Sequence, residues 1–171
     1  FENLVKYMYD NLQDFGEYLA IDGKAVQSYA TNYSKETKED GRRDTDANWG
    51  TKKYTTSVNS KGEVVTNKVT WFGYTVHLVV DAKYELPVTF KVTPASNSEQ
   101  KEAKEILKVM HEEQLERCKY FLADKGYDDT KIIEYLKEKD IAAIIDIRNM
   151  WKDGEETKQY KDTDVVYTYD G

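Results

Sequence analysis

The sequence of 171 residues contains one cysteine, two prolines and no long run of apolar residues. The single Cys118 excludes a disulfide framework and any zinc site built from several cysteines. The cleanest apolar run, residues 141–145, is far shorter than the roughly 18 residues needed to cross a membrane. The chain begins at Phe1 without a signal-peptide pattern, so we expect an excised piece of a longer intracellular protein.

Basic residues are also in short supply. The chain has 25 Lys and Arg against 32 Asp and Glu, a net charge of −7. This balance argues against a free-standing nucleic-acid binder, because contacts with phosphates need a surplus of positive charge. Ile, Leu, Val and Phe together number 36, just above the level at which disorder is the rule. The length and composition therefore predict one hydrophilic folded domain.

Hydrophobic periodicity predicts an α/β architecture. Short apolar runs rich in β-branched residues predict strands over residues 18–21, 74–80, 88–92, 120–123 and 141–147. Helical spacing predicts helices over residues 1–14, from Ser96, Asn97 or Ser98 to Met110, and over 130–139. The alternation of strands and helices from residue 86 to 147 is typical of crossover units in a partly parallel sheet.

Two polar stretches interrupt this pattern. Residues 31–63 contain only five apolar side chains, so we expect a surface loop or insertion that adds little to the core. The positive charge of its basic residues is nearly balanced by neighbouring acidic residues. A contact of these basic residues with DNA stays an alternative: Lys35, Lys38, Arg42, Arg43, Lys52 and Lys53. The segment from residue 148 onward is polar and is expected to be an insertion.

Two aspartates come directly after apolar strands. Asp22 follows residues 19–21, Asp124 follows residues 121–123, and a glycine comes close after each. Carboxylates are costly to bury unless a cation or proton neutralises them, and ligands bind where parallel strands end. On neighbouring parallel strands, about 4.8 Å apart, the two carboxylates would share or bracket a divalent metal ion. The alternative is that each aspartate only caps the turn or helix that follows.

Several segments together resemble a known family. They are residues 19–23, 43–50, 71–81, 86–95 and 122–128. The most specific is Asp124-Lys125-Gly126-Tyr127, which fits the motif D-x-G-[YF] around a catalytic aspartate. In this order the segments resemble the DDE transposase domain of bacterial insertion sequences.

This resemblance implies a ribonuclease H-like mixed sheet flanked by helices, here incomplete at the C-terminus, in a single truncated domain over residues 1–171. It implies that Asp22 and Asp124 are the first two catalytic carboxylates and bind Mg²⁺ or Mn²⁺. Four further residues are expected to form the wall of the site: His77, Lys125, Gly126 and Tyr127. The third carboxylate should be a glutamate in the pattern Y-x2-R-x3-E.

No tyrosine of this sequence is followed by Arg and Glu at those offsets. Glu155 and Glu156 are weaker candidates in a turn-like stretch. We therefore expect the isolated chain to lack its third carboxylate and to be inactive. His77 is alternatively a purely structural histidine, Asp81 is expected to organise a turn, and His111 to be solvated.

The resemblance implies double-stranded DNA as partner, at the transposon ends and at the target, and a cytoplasmic, nucleoid-associated bacterial protein without contact to a membrane. Homo-oligomerisation of the full-length protein stays open. Two other functions remain. One is a degenerate or domesticated transposase fragment that binds DNA or a partner without catalysis. The other is a stand-alone ribonuclease H-like nuclease.

Overall fold

The structure, a computed structural model, describes residues 1–30, 44–58, 64–147, 157–159 and 166–168. For residues 53–58, 64–67, 157–159 and 166–168 it describes the backbone alone. Glu155 and Glu156, and the basic residues at 35, 38, 42 and 43, lie outside the described part of the chain.

The centre of the fold is a mixed sheet of six strands. They are β1 (Tyr18–Gln27), β2 (Asn48–Val58), β3 (Val64–Asp81), β4 (Leu86–Pro94), β5 (Tyr120–Ala123) and β6 (Ala142–Ile145). Strand β1 is antiparallel to β3 and parallel to β5, and β5 is parallel to β6. Strands β2 and β4 both pair with β3 in antiparallel fashion. This order, flanked by helices, is that of a ribonuclease H-like fold, as the resemblance implied.

Strand β3 is long because it belongs to two pairings. Its first part pairs with β2, and its second part lies between β1 and β4. Gly73 stands at the change, with a φ of 151°. A Cβ atom there would lie 2.2 Å from the carbonyl oxygen of Val26, so glycine is required at this close approach.

Four helices cover the sheet: α1 (Glu2–Asn11), α2 (Glu99–Val109), α3 (Glu112–Arg117) and α4 (Thr130–Glu138). Of the described helices, none has the length and apolar character to pass through a bilayer. Asp129 caps α4, since its Oδ1 accepts a hydrogen bond of 2.9 Å from the amide of Lys131. Helix α2 begins after Ser98 rather than with a capping box at Ser96.

The core lies between the helices and one face of the sheet. It unites α1, both central parallel strands, α2 and α4 through side chains that are almost fully buried. The most buried of these are Phe15, Leu19, Val79, Ala103, Ile106, Leu107, Phe121, Tyr127, Ile132 and Leu136. Each Å² of apolar surface that they bury contributes about 25 cal/mol to the stability of the fold, and their packing holds β1 and β5 side by side.

The stretch 31–63 is not a loop throughout, because β2 occupies residues 48–58. Because β2 has few apolar residues, periodicity did not indicate this strand, which pairs through its backbone with the first part of β3. None of its described side chains, at residues 44–52, belongs to the central core. In the segment after residue 147 the described residues form a small hairpin of β7 (Thr157–Gln159) and β8 (Val166–Thr168).

Asp44 connects the start of β2 to the sheet. Its carboxylate accepts hydrogen bonds from Ser28 Oγ at 2.7 Å, from the amide of Ala47 at 3.2 Å and from the hydroxyl of Tyr74. The bond from Tyr74 lowers the pKa of Asp44, and the same bond raises the pKa of Tyr74 to about 12. These contacts help to place β2, from which Lys52 reaches the candidate site described below.

Asp81 organises the turn between β3 and β4, as expected. Its side chain is fully buried. Oδ1 accepts hydrogen bonds from the amides of Lys83 at 2.9 Å and Tyr84 at 2.8 Å. Oδ2 accepts one of 2.7 Å from the amide of Gly16, which precedes β1. Asp81 therefore joins the hairpin to the chain segment that leads into the central strand.

We predict that Asp81→Ala lowers the free energy of unfolding by about 3 kcal/mol or more, because it leaves three amides without their charged acceptor. Urea unfolding followed by circular dichroism measures the change. Asp10→Ala on the exposed side of α1 is the matched control and should change stability by less than about 0.5 kcal/mol. A loss at Asp81 no larger than that of the control would contradict this assignment.

Candidate active site

Asp22 and Asp124 occupy equivalent positions on adjacent parallel strands. Ile21 of β1 is the partner of Ala123 in β5, and each aspartate is the next residue along its strand. The hydrophobic residues before them, Leu19 and Phe121, are buried, and both aspartates are exposed. Both aspartates therefore lie one residue beyond the parallel pairing of β1 with β5. Strand β1 does not end at Asp22 as the sequence indicated, because antiparallel pairing with β3 continues it to Gln27; only Asp124 follows the end of its strand.

Each aspartate also makes a local hydrogen bond. Asp22 Oδ1 accepts from the amide of Gly23 at 2.7 Å, and Asp124 Oδ1 accepts from the amide of Gly126 at 2.8 Å. The second bond caps a 3-10 turn at Lys125–Tyr127, so capping, the alternative role, is real for Asp124. A carboxylate has about four lone-pair sites, and one accepted bond leaves capacity for a cation.

Glu99, the first residue of α2, brings another carboxylate to this edge. A Cβ atom at Gly23 would lie 3.0 Å from Glu99 Oε1, and one at Gly126 would lie 2.9 Å from Glu99 Oε2. The same position at Gly126 is 2.8 Å from Asp124 Oδ1. The absence of side chains at the two glycines thus makes room for the Glu99 carboxylate beside Asp124.

The hydroxyl of Tyr127 points into the same space. It lies 3.2 Å from the Cβ position of Gly23, and the side chain is only 1% exposed. Within the described residues this hydroxyl has no hydrogen-bond partner. Burial, together with the negative charges of Glu99, Asp22 and Asp124, raises its pKa well above the ordinary value. An unpartnered buried hydroxyl costs about 1–3 kcal/mol, so this hydroxyl has the capacity to form a hydrogen bond with a ligand beside Gly23.

A comparison with protein families gives one match. The model of the transposase DDE domain family matches residues 17–168, nearly the whole chain. The chain belongs to the transposase DDE domain family. Its function is thus related to transposition and DNA recombination. The comparisons with curated proteins and with solved structures returned no match.

The donors at the edge of this DDE domain fit a divalent cation in their chemistry. Carboxylate oxygens are the preferred ligands of Mg²⁺ and Mn²⁺, and the two glycines and the unpartnered hydroxyl leave a cradle around them. As they are placed, the described residues include no three Asp, Glu, His or Cys side chains grouped closely enough to hold one ion directly. A cation held here would therefore need water ligands as well, which is usual for Mg²⁺.

Lys52 of β2 provides positive charge at the site. Its ammonium lies 3.1 Å from Glu99 Oε1, and the two side chains are 34% and 25% exposed. Lys125, expected in the wall of the site, is exposed beside Asp124. The local charge of the DDE domain's carboxyl edge is therefore balanced in part by lysines.

His77 lies behind the edge rather than in it. It is the β3 partner of Gly23 and is fully buried. Its Nε2 lies 3.0 Å from Thr93 Oγ1, while within the described residues Nδ1 has no partner. Burial lowers the pKa of His77, against the opposing effect of Glu102 and Glu99. The ring therefore stays neutral near pH 7.

Glu102, one turn after Glu99 on α2, is paired more fully. It is 3% exposed, its Oε2 lies 2.6 Å from the ammonium of Lys91, and its Oε1 accepts a hydrogen bond of 2.9 Å from Asn97. Burial raises the pKa of Glu102, but these contacts outweigh it and hold the pKa below the usual value. This ion pair fixes the first turn of α2 against β4 and thereby positions Glu99.

Other residues named from the sequence do not join the site. Asp81 is the β3 partner of Leu19, and Leu19 lies three residues before Asp22 on β1. The carboxylate of Asp81 accepts hydrogen bonds from the turn between β3 and β4. His111 is exposed as expected, but it is the N-cap of α3 rather than part of a helix.

The sequence did not indicate Glu99 or Asp146 as site residues, and it offered Lys52 only among the basic residues of a DNA contact. Asp146 follows Ile145 of β6, which is the partner of Ala123, so three aspartates lie one residue beyond the parallel pairing of three neighbouring strands. The strand-end argument applied to residues 141–145 would have found Asp146. No local signal distinguishes Glu99 from the other glutamates of its helix, because only tertiary packing brings it to Gly23 and Gly126.

We predict a pH dependence of stability from His77. Its pKa is lowered in the folded state, so the unfolded chain binds a proton first as the pH falls. The stability that the neutral ring contributes is complete above the unfolded pKa near 6.5 and is lost below it, by up to about 1.4 kcal/mol per pH unit. Urea unfolding between pH 7.5 and 5 measures this slope.

His77→Gln should flatten the slope, whereas His111→Gln should leave it as in the wild type because that ring is exposed. An unchanged slope in His77→Gln would show that burial of the ring does not set the pH dependence.

Proposed function

We propose that this chain is the catalytic core of a DDE transposase, which cleaves DNA strands and transfers them during transposition. The observation that carries the proposal is the equivalent placement of Asp22 and Asp124, each one residue beyond the parallel pairing of β1 with β5. Family membership supports the reaction class. Asp22 lies within β1 and Asp124 directly follows β5, so two central strands support the proposed site.

In this proposal Asp22 and Asp124 hold Mg²⁺ or Mn²⁺. A divalent cation there would stabilise the charge on the attacking and leaving oxygens of in-line displacement at a DNA phosphodiester. Lys125, adjacent to Asp124, contacts a phosphate. Gly126 and Tyr127 form the wall of the site from the 3-10 turn, and His77 supports it from β3.

The partner is double-stranded DNA, at the transposon ends and at the target. Because the chain carries a net charge of −7, we expect its own affinity for DNA to be weak and to fall steeply with salt. Recognition of the ends would rest on other parts of the full-length protein, which acts in the bacterial cytoplasm at the nucleoid. Homo-oligomerisation would also belong to that full-length protein.

We predict that the chain binds Mn²⁺ and that Asp22→Asn and Asp124→Asn each weaken binding at least tenfold, because each removes a charged ligand. Isothermal titration calorimetry of the purified chain measures the affinity. Asp10→Asn on α1 removes the same charge away from the site and should bind Mn²⁺ like the wild type. Wild-type affinity in both strand-end variants would refute the assignment of the site.

A second function has a specific observation in its favour. The 171 residues contain no tyrosine followed by Arg and Glu in the pattern Y-x2-R-x3-E. A transposase relic that binds DNA or a partner without catalysis would lack that glutamate altogether. A full-length gene that carries the pattern supports the active transposase, and its absence from that gene supports the relic.

We also predict that this chain does not nick DNA with Mg²⁺ or Mn²⁺, because the glutamate of that pattern is missing and charge in the transition state is poorly stabilised. Nicking of a supercoiled plasmid is the assay, and Asp124→Asn controls for contaminating nuclease. Metal-dependent nicking that disappears in Asp124→Asn would show that the chain already holds a complete set of carboxylates.

A further inference from the structure

The strongest unassigned feature of the molecule is the Glu99 carboxylate at the carboxyl edge of the sheet. Glu99 begins α2, yet its oxygens are directed across the two glycines that follow Asp22 and Asp124. One of its oxygens and Asp124 Oδ1 both lie within 3 Å of the single point where Gly126 would carry a Cβ atom. Glu99 thus faces Asp124 across a space that only glycine leaves open.

An independent observation indicates that this space receives a ligand. The hydroxyl of Tyr127 is buried, is directed into the space and has no hydrogen-bond partner among the described residues. The charges of Glu99, Asp22 and Asp124 all act on it. A hydrated divalent cation would neutralise the three carboxylates, and one of its water ligands would form a hydrogen bond with the Tyr127 hydroxyl.

In this structure Lys52 supplies the positive charge that pairs with the Glu99 carboxylate. Its ammonium is 3.1 Å from Glu99 Oε1, in a pair that is only partly exposed. A second cation at the same carboxylate would be repelled by the ammonium, so Lys52 and a divalent ion would compete for Glu99.

We propose that Glu99 is a further carboxylate of the cation site. Asp22 and Asp124 hold the ion, and the Glu99 carboxylate and the Tyr127 hydroxyl bind its water ligands. Lys52 occupies this carboxylate when the cation is absent. Glu99 thus acts on the ion through its water ligands and is a positioning residue. It is distinct from the glutamate of the pattern Y-x2-R-x3-E and does not replace it. The inference rests on the proposed function of Asp22 and Asp124.

The test is a double-mutant cycle on Mn²⁺ affinity, measured by calorimetry and by the electron paramagnetic resonance signal of free Mn²⁺. Glu99→Gln should weaken binding about tenfold, as loss of an outer contact to a metal does. Lys52→Met should strengthen binding severalfold, because it removes the competing ammonium. In the Glu99→Gln background, Lys52→Met should have no such effect. A merely structural role of Glu99 does not produce this pattern.

Glu105→Gln is the matched control, since Glu105 lies on the same helix and pairs with Lys108 at the same 3.1 Å. It should bind Mn²⁺ like the wild type, and circular dichroism should show that all variants are folded. Wild-type affinity in Glu99→Gln, or no gain in Lys52→Met, would overturn the role of Glu99. If Asp22→Asn and Asp124→Asn still weaken binding, the proposed function survives that failure; if they do not, both proposals fall.

Discussion

The parallel pairing of β1 with β5 is the constraint on which the candidate site depends. Backbone hydrogen bonds set its register, and the buried side chains of Leu19 and Phe121 hold the strands against the helices. Successive side chains of a strand point to opposite faces, so a slip of one residue would separate Asp22 from Asp124 and expose the core. The packing that stabilises the domain is therefore the same packing that places the two carboxylates together.

Negative charge gathers at the edge that this register creates. Asp22, Asp124 and Asp146 lie one residue beyond the parallel pairing of three neighbouring strands, and Glu99 of α2 reaches Gly23 and Gly126 beside the first two. Such a group is tolerated because the aspartates remain exposed to water and because Lys52 pairs with Glu99. In the function proposed above, this arrangement costs stability in the free protein and would make binding of a divalent cation favourable.

Behind that edge the structure keeps its charges paired. Asp81 satisfies three backbone amides, and Glu102 is held by Lys91 and Asn97. Both carboxylates are buried, and each has the contacts that make burial possible. The hydroxyl of Tyr127 differs from these carboxylates, because it has no partner among the described residues and lies beside Gly23 and Glu99 at the candidate site.

The sequence by itself determined several local elements and the positions of Asp22 and Asp124 directly after apolar segments. Strand β5, helix α4 and the turn at Asp81 follow from periodicity and short-range hydrogen bonds. Only the tertiary structure decided that polar β2 is a strand, that Gly73 joins two pairings and that Glu99 and Tyr127 meet beside Asp124. These features depend on contacts between residues far apart in the chain, and no pattern within one segment encodes a partner that another segment supplies.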